Sequence, residues 1–250
     1  MHLKKYFIGN WKMNGTDKEL KHLKNIEKFV KGLKKPKFTC IFCLPFTILE
    51  SANSMINPRH LKIGAQDVSH HVGDFGPFTG SISSKMIKNT KSAYVMIGHS
   101  EKRADGDTDE IISKKIFLSS KNSLKKILCV GENLKDFKNK KSFKIVKDQI
   151  KKALKSNRGN LDKLLIAYEP LWSIGTGIVP KEKYLKEFYK KLSLFIYNEY
   201  KKNIPLLYGG SVSSKNVENF RSIDFCSGFL IGGASLNSKD FIDIIKKYYN

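Results

Sequence analysis

The sequence predicts an α/β protein of the (β/α)₈ barrel class: eight parallel strands ringed by helices, in a single domain over residues 1–250. Three observations predict it. Short apolar runs recur eight times along the chain, helical stripes fill the gaps between them, and hairpin turns joining neighbouring runs are missing. Most of the runs are continuously apolar rather than alternating, as strands buried on both faces are. Strand–helix alternation implies parallel strands with right-handed crossovers. A doubly wound open sheet is the competing arrangement, but eight repeats in 250 residues favour closure.

The runs are Tyr6–Gly9, Thr39–Leu44, Leu61–Ala65, Ala93–Ile97, Lys126–Val130, Leu164–Ala167, Pro205–Tyr208 and Phe229–Ile231. The first helix follows Thr16-Asp17, a fitting N-cap, with Leu20, Leu23, Ile26, Phe29, Val30 and Leu33 at three- and four-residue steps. Phe143, Val146, Ile150 and Leu154 form a second stripe. Tyr184, Leu185, Phe188, Leu192, Phe195 and Ile196 form a third, and Phe241, Ile244, Ile245 and Tyr248 a fourth. Asn14-Gly15 would signal a hairpin elsewhere but here leads into a helix.

Composition narrows the function. Hydrophobic residues at 40%, with 16 Phe, 10 Tyr and only 7 Pro, exclude a disordered or collagen-like chain. The longest nearly apolar run, Cys40 to Leu49, falls short of the ~20 residues of a membrane span. The N-terminal segment offers too few apolar residues for a signal-peptide core, so a cytoplasmic location is expected. Lys+Arg 46 against Asp+Glu 23 gives a net charge of +23. The excess is lysine spread along the whole chain, without an Arg-rich tail or an aromatic-interleaved basic segment, and reads as a solvated surface rather than a nucleic-acid interface. The pairs Lys151-Lys152, Lys201-Lys202 and Lys246-Lys247 are expected in the last turns of helices, where cations suit the dipole. Cys40 and Cys43 make a formal C-x-x-C, yet on a strand they point to opposite faces, and His70-His71 lacks companion ligands; no metal is expected.

In parallel α/β folds chemistry gathers at the carboxyl ends of strands. Those ends read Asn10 and Lys12, Gln66-Asp67, Gly98-His99-Ser100-Glu101, Gly131-Glu132, Glu169-Pro170, Gly209-Gly210-Ser211 and Gly232-Gly233. A carboxylate, an imidazole, an ammonium and two glycine turns are thus expected on one rim.

Five segments carry a resemblance: Gly9-Asn10-Trp11-Lys12-Met13-Asn14, Gly98-His99-Ser100-Glu101-Lys102-Arg103, Ala167-Tyr168-Glu169-Pro170-Leu171-Trp172-Ser173-Ile174-Gly175-Thr176-Gly177, Tyr208-Gly209-Gly210-Ser211-Val212 and Ile231-Gly232-Gly233-Ala234-Ser235. In this order and spacing, from Asn10 to Ser235, the chain resembles the triosephosphate isomerase family. The resemblance implies a cofactor-free aldose–ketose isomerase of glycolysis and gluconeogenesis, interconverting dihydroxyacetone phosphate and glyceraldehyde 3-phosphate through an enediolate. It implies Glu169 as general base, His99 as a neutral electrophile opening the helical turn Ser100-Glu101-Lys102, and Lys12 and Asn10 at the substrate oxygens. By the same resemblance Ser211, Gly232 and Gly233 bind phosphate and Gly175 is the tip of a mobile lid. Glu101 supports Lys12, and Cys129 packs beside Glu169.

Phe75 to Ser83 resembles a loop that enters a neighbouring subunit, with Thr79 near Asn10 of the partner subunit; a homodimer is therefore expected. The chain departs from the family pattern where Ser81 and Lys102 replace a glutamate and an arginine that pair across that interface, so the bridge should be absent. Ala104-Asp105-Gly106-Asp107 is shorter than usual and lacks the family's Phe-Gly-Glu. Pro180 stands at the far hinge of the lid, where its ring fixes φ. The alternatives are a non-catalytic barrel that binds phosphate or polyanions, and a basic nucleic-acid binder.

Overall fold

The computed structural model describes residues 5–157, 159 and 161–250; the first four residues of the N-terminal segment discussed above lie outside them. Its strands are β1 (Lys5–Asn10), β2 (Phe38–Leu44), β3 (Leu61–Ala65), β4 (Tyr94–Ile97), β5 (Lys125–Val130), β6 (Leu164–Tyr168), β7 (Leu206–Tyr208) and β8 (Cys226–Ile231). Each pairs in parallel with the next and β8 pairs with β1, so the sheet closes in sequence order. Closure removes both sheet edges and leaves every strand covered on two sides. The eight apolar runs therefore coincide with the eight strands. The largest shift is in β8, which begins at Cys226 because Gly228 takes φ +144 and lets the backbone pass against Tyr6.

Alternation along the strands sorts side chains into two cores. Ile8, Ile41, Cys43, Tyr94, Met96, Ile127, Cys129, Leu165, Ala167, Leu207 and Leu230 fill the barrel. Their neighbours, among them Phe7, Phe42, Val95, Leu128, Ile166 and Phe229, face the helices. Cys40 and Cys43 fall on opposite sides of the β2 wall, and both are buried, unbridged thiols.

The helices are α1 (Lys21–Lys31), α2 (Leu49–Met55), α3 (Ser84–Asn89), α4 (Ser100–Ala104), α5 (Asp109–Lys121), α6 (Leu134–Lys138), α7 (Ser142–Leu154), α8 (Glu182–Tyr200) and α9 (Ser238–Tyr249). Thr16 caps, through a capping box, the 3-10 turn Asp17–Leu20 that leads into α1: its backbone N–H donates to the Glu19 carboxylate at 2.7 Å. Leu23, Ile26 and Val30 are buried, whereas Leu33 lies past the end of α1 and is exposed. Val146, Ile150 and Leu154 of α7, Leu185, Phe188, Leu192 and Ile196 of α8, and Phe241, Ile244, Ile245 and Tyr248 of α9 all face the barrel. Lys151-Lys152 and Lys246-Lys247 do occupy last turns. Lys201-Lys202 does not: Lys201 is the residue after α8, in the left-handed conformation at φ 53 that ends the helix.

Two cationic clamps, Arg103 half-buried and Lys115 buried, hold the loops at the carboxyl ends of the strands. Arg103 donates to the carbonyls of Gly98 and Cys129, joining the ends of β4 and β5, and pairs with Asp109 at 3.0 Å. Lys115 of α5 sits between Asp67, after β3, and Asp107, each at 2.7 Å. Burial pushes the Asp67 carboxyl up, against the pull of Lys115.

Removing the cation from between two carboxylates leaves like charges face to face in a poorly hydrated site. Lys115→Ala should therefore cost about 3–5 kcal/mol, read by urea unfolding at pH 7 as a lower midpoint with an unchanged slope. A loss below about 1 kcal/mol would show that water replaces the ammonium without difficulty.

Candidate active site

The site is built on the ends of β1, β4, β6, β7 and β8. At the end of β1, Asn10 is buried and its Oδ1 accepts the Lys12 N–H at 3.0 Å. Lys12 adopts φ 55, a left-handed conformation that costs a non-glycine residue roughly 1–2 kcal/mol. Gln66, at the end of β3, fixes the strained turn by donating to the Lys12 carbonyl at 2.8 Å. The Lys12 ammonium then pairs with Glu101 at 2.5 Å. That pair is half open to solvent, so it orients the ammonium more than it stabilises the fold.

His99 follows β4 and precedes α4. Its Nδ1 accepts the Glu101 N–H at 3.3 Å, which requires that nitrogen to be unprotonated. The remaining ring proton is therefore on Nε2, and Nε2 faces Glu169 Oε1 at 3.4 Å. The imidazole is thus held in a single neutral tautomer with its donor turned into the cavity.

Glu169 ends β6 and is only 2% exposed. Two glycines make room for it. A Cβ at Gly131 would lie 1.8 Å from the Glu169 carbonyl oxygen, and one at Gly209 would lie 2.7 Å from its Cγ. Any other residue would displace the Glu169 backbone at the first position and its side chain at the second. Gln149 holds Gly131 from behind, accepting from its N–H at 2.9 Å and donating to its carbonyl at 3.0 Å. Burial raises the Glu169 pKa above the usual glutamate range; His99, the Ser100 N–H at 3.3 Å, the Cys129 thiol and Lys12 pull it partly back. The Cys129 thiol is itself pushed well up by burial and by the neighbouring Glu169 charge, so it is a thiol and a donor, not a nucleophile.

The opposite wall is backbone. Gly210-Ser211-Val212 after β7 and Gly232-Gly233-Ala234 after β8 line the cavity with Asn10, Lys12, His99, Glu169, Ile174, Gly175 and Leu230. Trp11 ties the β8 turn to β1 by donating to the Ser235 carbonyl at 3.0 Å. The segment after Glu169 closes over the opening: the Gly177 N–H donates to Ser211 Oγ at 3.2 Å, and Gly175 reaches the cavity at φ +70. The enclosed volume is about 250 Å³, below the ~300–1,000 Å³ of drug-sized sites and fit for a small, strongly polar ligand.

Asn10, Lys12, His99, Glu169, Gly175, Ser211, Gly232 and Gly233 therefore meet in one cavity, with Glu101 on Lys12 and Cys129 behind Glu169. Thr79 is on an exposed loop outside it. Among the described residues no cluster of metal-ligating side chains is present; His71 stacks on Phe78, and the His70 ring lies tilted against His71. Sequence reasoning missed the close approach of Gly131 and Gly209, the Arg103 clamp and the pairing of Gln149 with Gly131. It placed Glu132 at the end of β5 but gave it no role; the buried carboxylate accepts from Tyr168 at 3.0 Å and Trp172 at 3.2 Å and so anchors the segment after Glu169. A glycine directly after each of β5 and β7 was the available signal for the first of these.

Comparison with known proteins agrees with this geometry. The family model described as triosephosphate isomerase matches residues 5–248. The triosephosphate isomerase of Mycoplasma mobile is 40% identical over 97% of this chain and 99% of its own. That of Thermodesulfovibrio yellowstonii is 37% identical over 97% and 99%. The crystal structure of triosephosphate isomerase from Bartonella henselae superposes with a TM-score of 0.88 at 31% identity, covering 99% of this chain and all of that one. A closed barrel, a cavity at its carboxyl rim and matches over nearly the full length lead to one assignment: the chain belongs to the triosephosphate isomerase family.

Proposed function

We propose that this chain isomerises dihydroxyacetone phosphate and D-glyceraldehyde 3-phosphate, with Glu169 moving the proton. One observation carries the proposal: a buried carboxylate of raised pKa lies 3.4 Å from the donor nitrogen of a neutral imidazole, in the cavity that also holds an ammonium. The Glu169 carboxylate takes a proton from the carbon next to the carbonyl. The C–H electron pair forms the C=C bond of an enediolate, and the former carbonyl pair moves onto oxygen. His99 Nε2–H, Asn10 Nδ2–H and the Lys12 ammonium face that oxygen charge in a site with little water, where such donors count most. Protonated Glu169 returns the proton to the neighbouring carbon, and a hydroxyl proton shifts between the two oxygens. Atoms and electrons balance without an oxidant or reductant. Backbone N–H groups at Ser211, Gly232 and Gly233 hold the phosphate, and Gly175 covers it.

The working form is proposed as a cytoplasmic homodimer of one-domain subunits. Val72 and Phe75 are 76% and 77% exposed on the loop that carries Thr79, and Met13, 96% exposed, borders an open hollow of about 750 Å³ lined also by Phe46, Gln66 and Glu101. A second copy's loop fits that hollow and would cover apolar surface on both sides. Lys102 pairs within its own subunit, with Asp105 at 3.0 Å, in keeping with an interface that lacks the bridge expected of the family. Buried, unbridged thiols suit a reducing compartment, and no helix among the described residues is long and apolar enough to cross a membrane.

A coupled assay from glyceraldehyde 3-phosphate tests the reaction. Glu169→Gln should lose at least about 10²-fold in kcat, and wild-type kcat/KM should fall on acidification through a pKa above the ordinary glutamate value; an undiminished variant removes Glu169 from the role. Because burial raises this carboxyl's pKa in the fold, its ionised form opposes folding. Glu169→Gln should accordingly melt higher than wild type at pH 8, and the difference should shrink as pH falls below the unfolded glutamate pKa. Sedimentation at micromolar protein should give a dimer, and a lone monomer there contradicts the interface.

A further inference from the structure

Ser173 is fully buried at the base of the lid, and its hydroxyl meets three groups, one from the lid and two from the turn after β7. It lies 2.5 Å from the carbonyl oxygen of Ile178, 2.9 Å from the Tyr208 hydroxyl and 3.4 Å from the Ser211 nitrogen. A serine hydroxyl has one proton and two lone pairs. The Ile178 carbonyl can only accept, so it takes the proton. Tyr208 O–H and Ser211 N–H must then both donate to Ser173, and every capacity of the hydroxyl is used. Ser173 precedes the cavity-lining pair Ile174-Gly175, Ile178 follows it, and Tyr208 and Ser211 flank the glycine turn after β7. Pro180 has no N–H, so the far end of the lid cannot be tied through a backbone donor at that residue; the Ile178 carbonyl, two residues earlier, is where it is held.

Resting on the isomerase assignment, we propose that Ser173 is a positioning residue for the phosphate: its hydroxyl fastens both ends of the lid to the β7 turn and thereby sets the Ser211 N–H and the Gly177–Ser211 contact. Ser173 does not line the cavity and touches no reacting atom. Its effect passes through the lid and the turn. Of its three partners, the Ser211 N–H is the most distant and is the one an anion in the cavity can draw away, while Ile178 and Tyr208 remain bound.

Ser173→Ala leaves a carbonyl, a hydroxyl and an N–H without their partner while leaving the barrel strands untouched. The loss of such bonds predicts a 5- to 30-fold fall in kcat/KM with glyceraldehyde 3-phosphate, carried mainly by KM. Slow turnover of D-glyceraldehyde, which has no phosphate, should stay within about twofold of wild type, as a role confined to the phosphate requires. Amide hydrogen exchange at Gly177 and Ile178 should quicken at least about fivefold. Tyr208→Phe removes one of these three contacts and should give a smaller loss, and the double variant should be no worse than Ser173→Ala alone, because the contact that Tyr208→Phe deletes is already gone. Unchanged kcat/KM, equal losses with both substrates, multiplicative effects or unchanged exchange would each overturn the proposal. Wild-type protein that fails to isomerise would instead sink the assigned reaction, and the exchange comparison would still decide the role of Ser173.

Discussion

A carboxylate taken out of water at the end of a strand must either find charges and donors around it or take up a proton. Glu169 is placed between these outcomes. Burial lifts its proton affinity, and His99, the Ser100 N–H, the Cys129 thiol and Lys12 lower it again, without restoring the value of a solvated glutamate. A base for a carbon acid needs this compromise: basic enough to remove the proton, yet ionised at working pH. The remainder of the rim maintains that balance. Gly131 and Gly209 leave the space, Gln149 fixes the first of them, and the Arg103 clamp holds the ends of β4 and β5 on which the surrounding donors stand.

The barrel supplies rigidity where the site carries strain. Lys12 is held in a left-handed conformation by Asn10 and Gln66, hydrogen bonds that reach across from the first and third strands. The ammonium therefore comes to the cavity already placed, and little ordering remains to be done when substrate binds. The segment after Glu169 is held differently, by hydrogen bonds to the side chains of Glu132, Tyr208 and Ser211 rather than by strand pairing. Rigid donors below and the proposed lid above suit a reaction whose intermediate must be kept from water.

Much of this was legible in the sequence, because strand periodicity and strand-end composition are local signals. All eight runs became strands, since parallel strands buried on both faces are mostly apolar along their length. The residues just beyond them became the cavity, since parallel closure brings every carboxyl end to one rim. Long-range contacts were not legible. Nothing near Arg103 in the chain announces that it will reach the Cys129 carbonyl, and nothing near Lys115 announces Asp67. Lys201-Lys202 was misplaced for a local reason: a helix that ends in a left-handed residue stops where its backbone turns, not where its charge pattern stops. The bonding of Ser173 depends on its own segment meeting the turn after β7, and a single serine in a loop gives no sign of that.

The account stands on the protonation of one buried side chain, and carbon-13 NMR can follow the Glu169 carboxyl directly through a pH titration. Selective glutamate labelling, with Glu169→Gln to assign the resonance, isolates its signal from the other glutamates. The account predicts a midpoint above the ordinary glutamate pKa, whereas Glu19, Glu110 and Glu182, whose hydrogen bonds favour the charged form, should titrate below it. A midpoint at or under the ordinary value would mean that the surrounding donors outweigh burial, and the proton chemistry assigned to this residue would lose its physical basis.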